Sequence, residues 1–286
     1  MAIKVITDST SYIPEELKKQ YDITEVSLNV VIGDNSYKET EINRDEFYKT
    51  LEKLNSIPTS AQPSLDDLYN AFENIVKQGD DVIGIFISSD MSGTYSTCNQ
   101  LIRNMIEEKY PDRRMEVVDS KTNCMQMGYI ALTAAKLASE GKSMDEILVE
   151  VNRVKENSRF LFIPDTLEYL KKGGRIGGAS ALFGSILQIR PILTVEDGKT
   201  SVFDKVRTKQ RAVVRMIEKV KADIETGELG ELIVHHINCE AEGRVVASKV
   251  KDILGIEAQI QDIGPVIGCH VGPKAVGIAY YVNNKN

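Results

Sequence analysis

The fold is decided by residues 82–94, which read VIGIFISSDMSGT. The first six residues of this stretch, Val82 to Ile87, form an uninterrupted apolar run, and hydroxyl and carboxyl side chains follow at once. A short apolar run bounded by polar turn residues is typical of a parallel strand that is buried on both faces. Because open α/β sheets bind ligands beyond the carboxyl ends of their strands, residues 88–94 are candidate site residues.

Similar elements surround this strand in the first half of the chain. Strand-like segments at residues 4–6, 26–32 and 115–118 alternate with helical segments whose apolar residues recur every 3.6 residues. Asn43, Ser64 and Ser143 precede three of these helices as predicted N-caps. We therefore predict an α/β fold whose N-terminal domain, residues 1–157, has three α/β/α layers built on a parallel sheet.

The second half has a different pattern. Asp197-Gly198 joins two strand-like segments, which predicts a β-hairpin and therefore antiparallel pairing. Helical and strand-like segments then alternate up to residue 282. These features predict a C-terminal two-layer α/β domain with a mixed sheet over residues 158–286.

Composition excludes several classes of function. The 286 residues carry 35 basic and 42 acidic side chains, a net charge of −7, which argues against a general nucleic-acid binder. No uncharged stretch exceeds 14 residues, whereas a membrane span needs about 20. The first residues read as a strand and show no signal peptide, so we expect a cytoplasmic protein. The four cysteines contain no CxxC pair and the three histidines are few, so we expect free thiols, no metal site and no cofactor.

Polar clusters follow three strands of the first half. Asp8 follows the first strand and Asp119 follows the strand at residues 115–118, and each is also typical of an ordinary helix N-cap. The most informative cluster is Ser92-Gly93-Thr94, which opens a helix. Free N–H groups, hydroxyl donors and the positive end of a helix dipole suit a carboxylate or a phosphate.

Further candidates lie in loops. The segment Pro58 to Pro63 reads PTSAQP and is either a stiff connector or a wall of the same pocket. Arg175 lies in a glycine-dense turn that matches neither GxGxxG nor a P-loop, and we expect it near the interdomain cleft. The apolar residues after it predict a helix face that is core or cavity wall: Ala179, Leu182, Phe183, Ile186 and Leu187.

The histidines and one basic segment complete the candidates. We expect residues 263–273 to form a Gly/Pro-rich loop in which His270 is either structural or functional. His235 and His236 should face opposite sides of a strand and so form no chelate. Residues 199–221 carry eight basic and two acidic side chains. This segment is either a solvated helix face or a surface that docks a partner protein or transiently contacts an anionic membrane.

Taken in order, these motifs resemble those of the DegV family, fatty-acid-binding proteins that serve bacterial fatty acid kinases. The resemblance runs nearly end to end and rests on Asp8-Ser9-Thr10, Pro58-Thr59-Ser60-x-Gln62-Pro63, Ser88-Ser89-x-x-Ser92-Gly93-Thr94-Tyr95, Asp119-Ser120, Leu170-x-x-Gly173-Gly174-Arg175-Ile176, Pro191-Ile192-Leu193, Arg207-Thr208 and residues 263–273 around His270. One departure is Lys274, which stands where the family usually has glycine, and lysine adopts a positive φ less readily than glycine.

The resemblance implies a non-catalytic subunit that holds one long-chain fatty acid between its two domains, with the C-terminal domain covering the acyl chain. A partner kinase would convert the bound acid to an acyl phosphate. The implied carboxylate ligands are Thr59, Ser92 and His270. Support would come from Ser60, Gly93 and Thr94, and Arg175 and Arg207 would lie near the acyl head.

Two other functions stay open from the residues. One is a serine hydrolase that uses Ser92 and His270 with Asp8 or Asp119, although the glycine of a nucleophile elbow is missing two residues before Ser92. The other is a subunit like that of dihydroxyacetone kinase, whose substrate is linked to a histidine.

Overall fold

A computed structural model describes residues 2–51, 57–183 and 189–284. Its strands are β1 (Ile3–Asp8), β2 (Ile23–Val26), β3 (Asn29–Ile32), β4 (Asn35–Lys38), β5 (Thr59–Ala61), β6 (Asp81–Phe86), β7 (Met115–Asp119), β8 (Ser158–Ile163), β9 (Arg190–Glu196), β10 (Lys199–Val206), β11 (Gly227–His236), β12 (Gln259–Asp262) and β13 (Val276–Asn284). Its helices are α1 (Glu15–Gln20), α2 (Arg44–Leu51), α3 (Leu65–Val76), α4 (Thr94–Glu108), α5 (Cys124–Ser139), α6 (Met144–Glu156), α7 (Glu168–Lys172), α8 (Lys209–Thr226), α9 (Glu240–Leu254) and α10 (Pro265–Val271). Short 3₁₀ helices lie at Ser9–Ser11, Glu39–Glu41 and Gly177–Leu182.

The first half forms the predicted parallel sheet, in the order β2-β1-β6-β7. The apolar run that begins at Val82 is an interior strand, and all of its residues from Val82 to Ile87 are buried. Helices α3 and α4 cover one face of the sheet, and α5 covers the other. This arrangement confirms the three α/β/α layers.

The second half forms the predicted mixed sheet, in the order β10-β9-β8-β13-β11-β12. Strands β11 and β12 are parallel, and the other neighbours are antiparallel. The β9–β10 turn is Asp197-Gly198, with φ angles of +48° and +81°. Helices α8 and α9 pack on the outer face of this sheet.

Helix α5 connects the two sheets. It lies on the parallel sheet and also on the inner face of the mixed sheet, where Phe160, Phe162 and Ala279 belong to the same apolar cluster as Val5 and Ile83. The change of sheet falls where α6 ends at Glu156 and β8 begins at Ser158. The mixed α/β fold class is therefore confirmed, while the domain boundary at 157/158 stays a prediction because one apolar cluster crosses it.

Two local predictions were wrong. Residues 26–32 are not one strand, because the chain leaves the parallel sheet at Ser27 and enters a small antiparallel sheet of order β4-β3-β5. Residues 263–273 are not a loop throughout, because they contain helix α10 with Pro265 in its first turn. The PTSAQP segment, predicted as either a connector or a pocket wall, contains β5.

The region after Arg175 differs from its prediction, whereas the cysteines agree with theirs. After Arg175 the chain forms a 3₁₀ helix that ends at Leu182, instead of the expected longer helix, and Ile186 and Leu187 lie outside the described residues. The four cysteines are free thiols, as predicted. None of the helices in the described ranges is long and apolar enough to cross a membrane.

Candidate functional site

A cleft lies between the carboxyl edge of the parallel sheet and the inner face of the mixed sheet. Its volume is about 530 Å³ when the open solvent at its mouth is counted. Most of its lining is apolar: Leu28, Ile87, Met91, Phe160, Phe162, Leu170, Val195, Val266, Ile267 and Val271. The polar lining residues are Ser60, Ser92, Asn123, Arg175, Thr200 and His270. An apolar cavity with a few polar groups is typical of a small-molecule site.

Strand β5 decides which hydroxyl of the PTSAQP segment faces the cleft. Because successive side chains of a strand point to opposite faces, Thr59 and Ser60 diverge. Ser60 lines the cleft, and its Oγ lies 2.7 Å from Nε2 of His270. Thr59 is exposed and does not line the cleft. Ser60 and not Thr59 therefore lines the cleft, and the role of Thr59 as a carboxylate ligand stays a prediction.

The Ser92-Gly93-Thr94 turn opens α4 as predicted. Ser92 lines the cleft, and its Oγ lies 2.9 Å from Oγ1 of the buried Thr94. A Cβ added to Gly93 would lie 2.5 Å from Oε1 of Gln62, so glycine allows the β5 segment to approach α4 closely. These contacts place a hydroxyl and the positive end of a fifteen-residue helix at the polar end of the cleft.

His270 reaches the cleft from the last turn of α10. Its Nδ1 is buried and faces the backbone of Gly173, without a hydrogen bond of ordinary geometry among the described residues. Burial, with a smaller contribution from the nearby Arg175 charge, lowers the pKa of His270 to about 4. The imidazole is therefore neutral at pH 7, and with Ser60 it forms an uncharged hydrogen-bonding pair.

Helix α10 is held by a buried carboxylate from the first half of the chain. Glu39 Oε1 accepts the backbone N–H of Val266 at 2.8 Å and the hydroxyl of Tyr12 at 2.9 Å. Ser9 donates its hydroxyl to the other oxygen. Burial raises the pKa of Glu39 to about 7, although these hydrogen bonds oppose the shift. Glu39 thereby fixes the helix that carries His270.

The two predicted arginines have different positions. Arg175 lines the cleft and donates to the carbonyl oxygen of Met91 through Nε and Nη2, at 3.2 and 3.0 Å. Arg207 is exposed and does not line the cleft. It follows the far end of β10, about 23 Å from Thr200 at about 3.3 Å per strand residue. Arg175 therefore lines the cleft, whereas Arg207 does not, and the expected position of Arg207 near an acyl head stays a prediction.

The residues do not assemble a hydrolase triad. Asp8 accepts hydrogen bonds from Thr10 and from the backbone N–H of Ile87, and Asp119 accepts from Ser89 and Lys121. Both carboxylates therefore have structural partners at the sheet edge, and burial raises the pKa of Asp8 to about 6. Within the described residues, no carboxylate hydrogen-bonds to His270.

The remaining two histidines pack inside the fold, and most basic side chains of the basic segment, residues 199–221, form ion pairs. His235 is buried against Phe160 and accepts the N–H of Met125, whereas His236 pairs with Asp262, so the two face opposite sides as predicted. No metal-binding group occurs within the described ranges. Five basic side chains of residues 199–221 pair with carboxylates: Lys199, Lys209, Arg211, Arg215 and Lys219. This pairing favours a solvated, internally neutralised face over a docking surface.

The sequence analysis did not single out Asn123 or Thr200 as cleft residues. A signal for Asn123 was present, because it follows β7 at the same sheet edge as Ser92. Thr200 could be placed only by the hairpin, which folds it onto the cleft beside Val195.

Comparison with known proteins gives a consistent assignment. The model of the DegV family, described as uncharacterised proteins, matches residues 2–283. A DegV domain-containing protein of Clostridium acetobutylicum is 52% identical over 283 residues, which cover 98% of each chain. The DegV protein of Bacillus subtilis is 34% identical over 286 residues, with 98% of this chain and 99% of the relative covered.

Solved structures agree with these matches. A fatty-acid-binding DegV family protein of Streptococcus agalactiae superposes with a TM-score of 0.90 at 27% identity, covering 99% of this chain and 100% of the other. DegV of Bacillus subtilis, described as a fatty acid binding protein, superposes with a TM-score of 0.84 at 32% identity and the same coverage. By its sequence from end to end and by its fold, the chain belongs to the DegV family.

Proposed function

We propose that this protein binds one long-chain fatty acid in the cleft, with the carboxylate at Ser60, Ser92 and His270. The observation that carries the proposal is the Ser60–His270 hydrogen bond of 2.7 Å at one end of a mainly apolar cavity. Related proteins with the same fold are described as fatty-acid-binding, which supports the choice of ligand.

Elementary energetics fit such a ligand. Burying an acyl chain contributes about 0.8 kcal/mol per CH₂, so about 14 methylenes supply roughly 11 kcal/mol before ordering and association losses. The carboxylate then needs hydrogen-bond donors, since an unpaired buried charge is costly. The Ser60 and Ser92 hydroxyls, the start of α4 and the Arg175 guanidinium provide donors and a favourable potential.

We further propose that the protein has no catalytic cycle of its own and presents the carboxylate to a partner kinase, which forms an acyl phosphate. Gly93 and Arg175, which flank the polar end of the cleft, are both exposed, so a partner can reach the head group from that side. Incubation of the loaded protein with a fatty acid kinase and ATP should yield an acyl phosphate. A fluorophosphonate probe that labels Ser60 or Ser92 would instead indicate hydrolase chemistry.

Native mass spectrometry of the purified protein, followed by organic extraction, tests the ligand. We expect one long-chain fatty acid per chain. An empty protein that also ignores added fatty acids would contradict the proposal.

A matched pair of variants tests the head-group site. Ser60→Ala should weaken fatty-acid binding about 3- to 10-fold, as expected for one hydrogen bond. Thr59→Ala, its neighbour on the opposite face of β5, should leave the dissociation constant unchanged. The reverse result would return the carboxylate to Thr59.

A further inference from the structure

Three buried side-chain atoms in the described part of the chain lack a hydrogen-bond partner: Ser11 Oγ, Asn123 Oδ1 and His270 Nδ1. Two of these residues, Asn123 and His270, line the same cleft. Leaving a buried polar atom unpaired is unfavourable, so such atoms in native proteins are usually paired with protein, ordered water or a ligand. His270 belongs to the head-group site, but Asn123 has no role there.

Asn123 also lacks the role that its position predicts. It is the residue before α5, where asparagine usually accepts an N–H of the first helical turn. Its side chain makes no such capping bond and is only 7% exposed. Among residues 2–51, 57–183 and 189–284, the one hydrogen bond of the Nδ2 group is to the sulfur of Met91 at 3.1 Å, and sulfur is a weak acceptor. Helix capping therefore does not explain this buried amide.

Met91 contacts both Arg175 and Asn123. Its carbonyl oxygen accepts from Arg175 at the polar end of the cleft, while its side-chain sulfur meets the Asn123 amide. The apolar residues Ile87, Phe160 and Val195 line the same cavity. Among the described residues Asn123 hydrogen-bonds to neither Ser60 nor His270, so a carboxylate held by those two side chains leaves the amide to the acyl chain, where a plain hydrocarbon offers no partner.

We propose that the cleft is matched to a fatty acid that carries a hydroxyl group along its chain, and that Asn123 recognises this hydroxyl. A hydroxyl can donate to the amide oxygen and can also accept from the amide N–H groups. An unsubstituted acid leaves the buried Asn123 amide without a hydrogen-bond partner. A hydroxy acid whose hydroxyl lies at the correct distance from its carboxylate provides one. This inference rests on the proposed fatty-acid function and names its substrate class.

The test uses the full chain, stripped of bound lipid. Dissociation constants are measured by calorimetry for stearic acid and for hydroxyoctadecanoic acids with the hydroxyl at successive carbons from C3 to C12. We expect one narrow range of positions to bind about 3- to 10-fold more tightly than stearic acid. If stearic acid binds and no isomer is preferred, the hydroxyl inference fails and the proposed function stands. If no C18 acid binds, both fail.

Variants identify the recognising group. Asn123→Leu, of similar size, should abolish the preference, so that every hydroxy isomer binds this variant no more tightly than stearic acid does. Ser11→Ala is the matched control, since Ser11 Oγ is also buried and unpaired but does not line the cleft. It should retain the preference. An Asn123→Leu protein that loses affinity for every acid equally would assign the amide to the carboxylate and overturn the inference. If Asn123→Leu does not fold, the isomer series on the unaltered protein still decides.

Discussion

A buried glutamate and two buried histidines give the stability of this protein opposite dependences on pH. Burial raises the pKa of Glu39 to about 7 and lowers the pKa values of His235 and His270 to about 4. Between pH 4.5 and 7 the folded Glu39 keeps a proton that the unfolded chain loses, so its contribution to stability falls as pH rises. Between pH 4 and 6.5 the unfolded histidines gain protons that the folded ones do not, so their contribution rises with pH.

Glu39→Gln should separate these contributions. The variant lacks the ionisation of Glu39, so its free energy of unfolding relative to the unaltered protein should rise by about 3 kcal/mol between pH 4.5 and pH 7.5. Urea unfolding at several pH values measures this difference. Glu41→Gln, an exposed glutamate of the same 3₁₀ helix, is the control and should give a curve parallel to that of the unaltered protein. Parallel curves for Glu39→Gln would contradict the prediction.

Lys274 occupies a left-handed conformation with φ of +65°. Its backbone N–H donates to Ile237, just after α10, so the departure from the family's glycine does not prevent this turn. Glycine accepts such angles without steric cost, so Lys274→Gly should raise the free energy of unfolding by about 1 kcal/mol. Lys251→Gly, in the last turn of α9, should instead lower it, by up to about 1 kcal/mol. Thermal melts of the two variants measure both changes, and a destabilised Lys274→Gly protein would show that the lysine stem packs usefully.

At the scale of elements, local signals explain which predictions succeeded. Ser64 caps α3 through the N–H of Asp67, and Ser143 forms a full capping box with Glu146. The Asp197-Gly198 hairpin is equally local. Strand β5 and helix α10 depend on distant partners, since β5 pairs with β3 and α10 is held by Glu39, 227 residues away from Val266. The sequence near these two elements does not contain that information.

The β9–β10 hairpin covers the cleft and is fastened to the parallel sheet. Ser88 donates its hydroxyl to the carbonyl of Gly198 at 2.8 Å, and Val195 and Thr200, on either side of the turn, line the cleft. We expect Ser88→Ala to loosen this cover and to accelerate fatty-acid dissociation about 3- to 10-fold. Stopped-flow displacement measures the rate. Ser89→Ala is the control, because Ser89 bonds to Asp119 and not to the hairpin. Equal dissociation rates for the two variants would exclude a covering role.

At the scale of the whole molecule, both halves build one site and share one core. Ser60 and Ser92 come from the first half, and Arg175 and His270 come from the second. The fold class can be predicted from the sequence because apolar periodicity and turn residues are spread along the chain. The shared core cannot be predicted in this way, because only the three-dimensional packing shows that α5 contacts both sheets.

This packing predicts a single unfolding transition. Since one apolar cluster includes both sheets and α5, neither half should melt alone. Differential scanning calorimetry should give equal calorimetric and van't Hoff enthalpies, and added fatty acid should move the whole transition upward. Two separate transitions, of which only one responds to ligand, would show that the halves are independent.

The alternation of strand β5 has a consequence for reading related sequences. Side chains of β5 alternate between its two faces, and Ser60, which pairs with Val30, is on the face that contacts His270. The neighbouring Thr59 also carries a hydroxyl but lies on the other face. A relative with one residue more or fewer between the two prolines can keep similar letters and yet turn a different side chain inward. Counting residues along the strand from its paired neighbour will then identify the hydroxyl that faces the cleft, where sequence alignment alone does not.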